Sequence, residues 1–226
     1  MRISTWLFSV GLASAMLATG CGPKAPPNPY HEAAKYGATQ LEEAKKTGAD
    51  INGQDGDKRT ALHYAAKSNN AESVKYLIEN GAKLNVQDKD LETPLFNTCD
   101  DGYDECTKLL LDAGADPNIL NDDHEAPLSI ASSDGHSACV KLLLATKKVD
   151  LNNQDEDGGT ALYYAAKRGH ADIVQMLLDA GADTKIRNKD GETAEMIAAK
   201  EAHPNIVTMI RQHNGGGATT QPMKPM

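Results

Sequence analysis

The stretch Gly158 to Asn188, GGTALYYAAKRGHADIVQMLLDAGADTKIRN, decides how the rest of the chain is read. It begins with a turn, runs on as TALYYAA, breaks at RGH, resumes as ADIVQMLL and closes on DAGAD. Thr160 suits the N-cap of a short helix, where its hydroxyl accepts a backbone N–H. The small pair Ala165-Ala166 lets a second helix approach closely. Gly169 and Gly181 suit the left-handed conformation that ends a helix. Between them the apolar residues of Ile173 to Leu178 recur at intervals of three and four, so one face is buried.

Copies of this unit fill most of the chain. Thr60 opens TALH, Thr93 TPLF, Ala126 APLS, Thr160 TALY and Thr193 TAEM, at steps of 33, 33, 34 and 33 residues. A fixed period of this size predicts a solenoid of stacked supersecondary units. First helices are expected over 62–66, 95–99, 128–132 and 162–166, and second helices over 74–78, 106–111, 139–144 and 173–178. Pro94 and Pro127 fall at the first helical position, where a missing N–H costs little. Gly102 and Gly135 repeat the role of Gly169, and Asn69 takes it in the second unit, Asn being the best substitute for Gly there. Gly81 and Gly114 repeat Gly181. The segment Ala145 to Asp150 lacks that Gly and carries one extra residue, which predicts a local bulge.

The two ends depart from the pattern, as terminal repeats do because their outer face meets water. Tyr30 to Asp55 is a degenerate first unit. In the last unit, Lys189 to about His213, Glu195 replaces a core Leu and Ala202-His203 stand where Gly-His stood. Asn214 to Met226, NGGGATTQPMKPM, has no periodicity and is expected to be disordered.

The segments TALHYAAKSNN, TPLFNTCDDGY, APLSIASSDGH and TALYYAAKRGH, with the G-A-D-x-N that follows, resemble the ankyrin repeat motif. The resemblance covers roughly Asn28 to His213. It implies an all-α ankyrin solenoid of about six antiparallel helix pairs, near 28–55, 56–88, 89–121, 122–155, 156–188 and 189–213. It also implies β-hairpin fingers joining the pairs and a concave, pre-formed binding face. His63 occupies the T-x-L-H place, where the family uses His to bond backbone between repeats.

Residues 1–20 read as a targeting segment. Arg2 is the one charged residue before Cys21, and the apolar run Ile3 to Ala18 falls short of the ~20 residues a span needs. Leu17-Ala18-Thr19-Gly20-Cys21 resembles the lipobox of bacterial lipoproteins, which implies diacylation of Cys21. The alternative is cleavage after Ala13-Ser14-Ala15, leaving Cys21 a thiol. Gly22 after the Cys resembles an outer-membrane address, with the domain facing the periplasm. The following 22–29, GPKAPPNP, favours extended polyproline and reads as a tether.

Composition narrows the function. A net charge of −9 without a basic cluster argues against nucleic acid, whose phosphates need Lys and Arg. No nucleophile elbow, metalloprotease helix or phosphate-binding loop is present. Most of the seven His fall on repeat positions, His124 at a finger tip being the exception, and none is spaced as a metal ligand. No cofactor is expected and the chain reads as non-enzymatic. Cys99, Cys106 and Cys139 are either small buried hydrophobes or, for Cys99 and Cys106, an intra-repeat bridge. The acidic fingers Asp55-Gly56-Asp57, Asp88-Lys89-Asp90, Asp122-Asp123 and Asp155 to Gly158 read as solvated turns, and 155–158 lacks the ligand alternation of a calcium loop.

The outward face is left for function. Repeat position assigns to it Lys58, Arg59, Tyr64, Lys67 and Ser68; Leu91, Glu92, Asn97, Asp100 and Asp101; His124, Glu125, Ile130, Ser133 and Asp134; and Tyr164, Lys167 and Arg168. The candidate partner-binding residues are Arg59, Tyr64, Leu91, Glu92, Asp100, Asp101, His124, Glu125, Ile130, Asp134, Tyr164, Lys167 and Arg168. The middle repeats are acidic there and the flanking ones basic, which predicts a monomeric binder of a protein with a basic patch. An adaptor, inhibitor or immunity-type role is the first expectation. An accessory factor for a periplasmic enzyme and a passive structural lipoprotein are the others.

Overall fold

A computed structural model describes residues 28–215, and within them every regular element is a helix. The signal segment, Cys21 and most of the tether lie outside the described residues, as does the chain beyond Gly215. The last helix runs through Asn214 and Gly215, two residues into the stretch expected to be a tail.

The helices come in six pairs. They are α1 (Pro29–Ala33) with α2 (Ala38–Lys46), α3 (Ala61–Lys67) with α4 (Ala71–Glu79), and α5 (Pro94–Asp100) with α6 (Asp104–Asp112). Then come α7 (Pro127–Ser133) with α8 (Ser137–Ala145), α9 (Ala161–Arg168) with α10 (Ala171–Ala180), and α11 (Ala194–Lys200) with α12 (Pro204–Gly215). First helices stack on first helices and second on second, while each pair also packs on itself. The core is one continuous column in which Leu62, Leu95, Leu128 and Leu162 occupy the same place in successive repeats, each at most 1% exposed. Burying a Leu of this kind is worth roughly 1.5–3 kcal/mol.

The caps follow from the motif. The hydroxyls of Thr93, Thr160 and Thr193 accept from the amides of Phe96, Tyr163 and Met196 at 3.1, 3.2 and 3.3 Å. The turn between paired helices is built by two repeats together. Gly135 and Gly169 adopt φ of 81° and 83°. A methyl group there would come within 2.8 and 2.7 Å of the imidazoles of His170 and His203 in the next repeat. Those rings, with His136, reach back to main-chain oxygens of the preceding first helix: His136 to Asp100, His170 to Ser133 and His203 to Lys167, at 2.9, 3.0 and 3.3 Å. Asn70 makes the same bond to Lys35 at 3.1 Å. The glycine thus serves its backbone and its neighbour's ring at once.

No strand forms among the described residues, so the fingers are tight hairpin turns rather than β-ribbons. A ladder of Asx residues builds them. Oδ1 of Asp55, Asp88, Asn121, Asp155 and Asn188 accepts from the amide four residues on, at 2.8–3.1 Å. Successive fingers are stitched by single backbone bonds: Lys89 to Asp57, Asp122 to Asp90, Glu156 to Asp123 and Lys189 to Asp157. At the opposite edge the Asn that ends GADIN, GAKLN, GADPN and KVDLN binds the next repeat. Oδ1 of Asn52, Asn85, Asn118 and Asn152 accepts from the amides of Lys83, Asp116, Asp150 and Asp183, at 2.7–3.0 Å.

The irregular break after α8 closes without glycine. Thr146 Oγ1 donates to the Leu143 oxygen at 2.7 Å, and Lys147 takes the left-handed turn at φ 55°. Thr47 and Gly48 do the same in the first repeat, with the conformation there carried by glycine.

Candidate functional site

The candidate residues lie on the first helices and the finger tips. The tip residue of each finger is left-handed: Lys58, Leu91 and His124 at φ 59°, 55° and 59°, then Gly158 and Gly191. A bulky aliphatic residue rarely adopts this conformation. Leu91 nevertheless holds it while 41% exposed.

Leu91, Asp101, His124, Asp134, Lys167 and Arg168 are exposed; Arg59, Tyr64, Glu92, Asp100, Glu125, Ile130 and Tyr164 are half-buried. Several of the half-buried residues serve their own chain. The Tyr64 hydroxyl donates to Asp55 Oδ2 at 2.6 Å, its ring stacks on His31, and Lys35 Nζ lies 5.1 Å from the ring centre. That hydrogen bond to a carboxylate, aided by burial, pushes the phenol up to about 12. Ile130 and Tyr164 pack against the core. His124 Nδ1 stands 3.4 Å from Glu156 Oε1, tying one finger to the next.

Two residues read as outward-facing or solvated are buried. Asp88 is 0% exposed. Its Oδ1 holds the amides of Asp90 and Glu92, and its Oδ2 accepts from Arg59 Nε at 3.3 Å. A buried carboxylate needs such partners, which also explains where Arg59 is spent. Asn97, expected to face solvent, is likewise 0% exposed. Its Nδ2 donates to Glu92 Oε2 at 2.6 Å, and its Oδ1 has no partner.

His63 performs the inter-repeat role expected of it. Nδ1 accepts from the Thr60 amide at 3.1 Å, which assigns the proton to Nε2, and Nε2 donates to the Glu92 oxygen at 3.2 Å. Burial holds its pKa below the usual value, consistent with a neutral ring. Cys99, Cys106 and Cys139 are buried free thiols, so the bridge between Cys99 and Cys106 does not form. Burial raises all three above the ordinary thiol range, which marks them as unreactive.

The middle of the face formed by the first helices and finger tips is electrostatically loaded. Asp100 titrates above the usual carboxylate value, through burial first and then through Asp101, Glu92 and Asp134. Glu125 is raised as well, by burial and by Asp155, Asp123 and Asp100, although Asn121 donates to it. Lys67 Nζ lies 3.3 Å from Glu92 Oε2. Among the described residues, no group of three His, Cys, Asp or Glu side chains has the arrangement of a metal site. A separate cavity of about 660 Å³ opens near the ends of α6 and α8, lined by Asn85, Lys108, Asp112, Asn118 and Thr146 among others, and shares no residue with this face.

A stack of paired helices with no convergent catalytic constellation, and with an array of fingers and first helices facing one side, defines a repeat scaffold. The family model for ankyrin repeats (3 copies) matches residues 11–88, 30–121, 85–155 and 128–221, and the chain belongs to that family. Ankyrin repeats mediate protein–protein interaction and are typically non-enzymatic. Over 34 residues the chain is 56% identical to cortactin-binding protein 2 of Ornithorhynchus anatinus; the match covers 15% of this chain and 2% of that protein. The length of the match is that of a single repeat.

Proposed function

We propose that this is a lipid-anchored envelope protein whose concave and finger face binds another protein through a basic patch. The observation that carries the binding reading is the surplus of carboxylate on the middle repeats. Asp100 and Glu125 are held above their ordinary titration range by burial first and then by neighbouring carboxylates, at a cost that a cationic surface would relieve. The array needs little reordering to bind, so less of the interaction free energy is lost on association. Charge of this kind steers encounter and selects partners more than it adds raw affinity.

The role follows the partner: an adaptor, an inhibitor or an immunity-type protein if the partner is a toxin or effector, an accessory factor if it is an envelope enzyme. The protein acts as a monomer. Anchoring rests on the lipobox-like Leu17 to Cys21 and on Gly22, which favour an outer-membrane site facing the periplasm. No helix among the described residues is long and apolar enough to cross a membrane. Two acyl chains on Cys21 would therefore hold the protein, each buried methylene contributing ~0.8 kcal/mol. Cys21→Ser should move the protein from the membrane to the soluble periplasmic fraction; unchanged membrane association would contradict the anchor. Binding is tested separately, by capture of partners from solubilised envelopes.

A further inference from the structure

Asn97 is anomalous within its own repeat series. The equivalent positions hold Tyr64, Ile130, Tyr164 and Ile197, whose bulk packs against the core, and in the degenerate first repeat Glu32, which is exposed. Asn97 instead places a fully buried amide there. The amide cannot be turned round to satisfy itself. Glu92 Oε2 sits 2.6 Å from Nδ2, so reversing the group would set oxygen against carboxylate. Oδ1 therefore remains an acceptor without a donor. Such a group carries a desolvation penalty that an aliphatic side chain there would not.

The surroundings have the same lack. Asp100 lies one turn along α5 on the same face, and Asp101 and Asp134 follow on the rim. Among the described residues neither Asp100 nor Asp134 makes an ion pair with a basic side chain. Among the described residues, the one basic side chain that forms an ion pair with a member of this group is Lys67, on the preceding repeat, through Glu92. Its ammonium and the Asn97 amide share a single oxygen, Glu92 Oε2. Lys67 is an exposed side chain on a flexible stem, and an ion pair of this exposure is weak because water screens it. It is a cation held loosely beside a buried acceptor and an unpaired carboxylate.

We propose that a lysine or arginine side chain of the bound protein takes the place of Lys67 beside Asn97, donating to Asn97 Oδ1 and the Asp100 carboxylate. This rests on the concave-face reading and sharpens it from a surface to a subsite. It gives Lys67 the role of a built-in competitor: it pairs with Glu92 beside Asn97 when nothing is bound, and its removal frees that place. A structural role for Asn97 alone predicts no such effect.

The test uses the full chain and three blocked peptides, Gly-Gly-Lys-Gly-Gly, Gly-Gly-Arg-Gly-Gly and the neutral Gly-Gly-Gln-Gly-Gly, followed by the side-chain amide resonances of Asn97. The Lys or the Arg peptide should shift those resonances saturably and the Gln peptide should not. Asn97→Ile adopts the residue found at position 130, and its binding is read from the neighbouring backbone amides. It should weaken binding at least tenfold with no loss of thermal stability, and Asp100→Asn should weaken it in the same direction. Lys67→Ala should tighten it threefold or more. Failure of both cationic peptides to bind, or equal binding by N97I and the parent chain, would overturn the subsite. If N97I were unchanged while Asp101→Lys with Asp134→Lys weakened binding, the subsite would fall and the concave-face reading would stand.

Discussion

Two single residues carry costs that the fold does not require. Lys147 occupies a left-handed turn that Gly48 fills in the first repeat. An L-residue there is disfavoured by roughly 1–2 kcal/mol, and glycine loses part of that gain in unfolded-state entropy. Lys147→Gly should therefore stabilise the array by about 0.5–1 kcal/mol in a denaturant melt, with binding unaffected. Asp100 is the second. Its carboxyl is raised by burial and by neighbouring carboxylates, so the ionised form is disfavoured in the folded state. The penalty is full above the folded pKa and disappears as pH falls below the ordinary carboxylate range, where both states are protonated. Asp100→Asn should thus stabilise by about 0.3 kcal/mol near neutral pH, a small value because water screens a half-buried group. The gain should fade on acidification while partner binding is lost at neutral pH. A residue that harms stability and aids binding is what a binding surface would retain. Much at this scale was not legible in the sequence. Asp88 and Asn97 look like solvated turn and surface residues, because polarity and repeat position do not report burial. Tyr64 looks free until Asp55 and His31 are seen around it.

Elements were legible, and for a physical reason. The helix boundaries follow from Thr caps, Pro at the first position and Gly or Asn in left-handed turns, all of which act within a few residues. The first and second helices of the four middle repeats stand where the period puts them, two to four residues longer than the apolar core alone suggested. The fingers were less so. The family resemblance implies β-hairpins, whereas an Asx residue folds each finger back on itself and one backbone bond joins it to the next. That device makes a definite prediction at Asp88. Asp88→Ala leaves two amides and Arg59 without their acceptor and should cost about 2–3 kcal/mol. Asp88→Asn keeps the amide acceptor, as Asn121 and Asn188 do in their fingers, and should cost under about 1 kcal/mol. Equal losses in the two variants, measured by urea unfolding, would show that the charge rather than the turn geometry matters.

The described array is quasi-one-dimensional, each repeat packing on its neighbours, so the face proposed to bind a partner is set by which repeats are adjacent. The overall fold could be read from the 33-residue period because periodicity is a global signal carried by many residues. The binding face could be read only in outline: repeat position says which residues point outward, while the unpaired acceptors at its centre emerge from packing. The terminal repeats close the column, with Arg211 Nε donating to Glu195 Oε1 at 2.7 Å where a core Leu would otherwise meet water. The central claim is that the acidic middle of this face captures a protein. It is tested most directly by affinity capture from solubilised envelopes, running the parent chain beside the Asp100→Lys, Asp101→Lys, Asp134→Lys triple variant and identifying both eluates by mass spectrometry. The account predicts a basic protein enriched by the parent and lost from the variant. The same proteins in both eluates, in equal amounts, would contradict it.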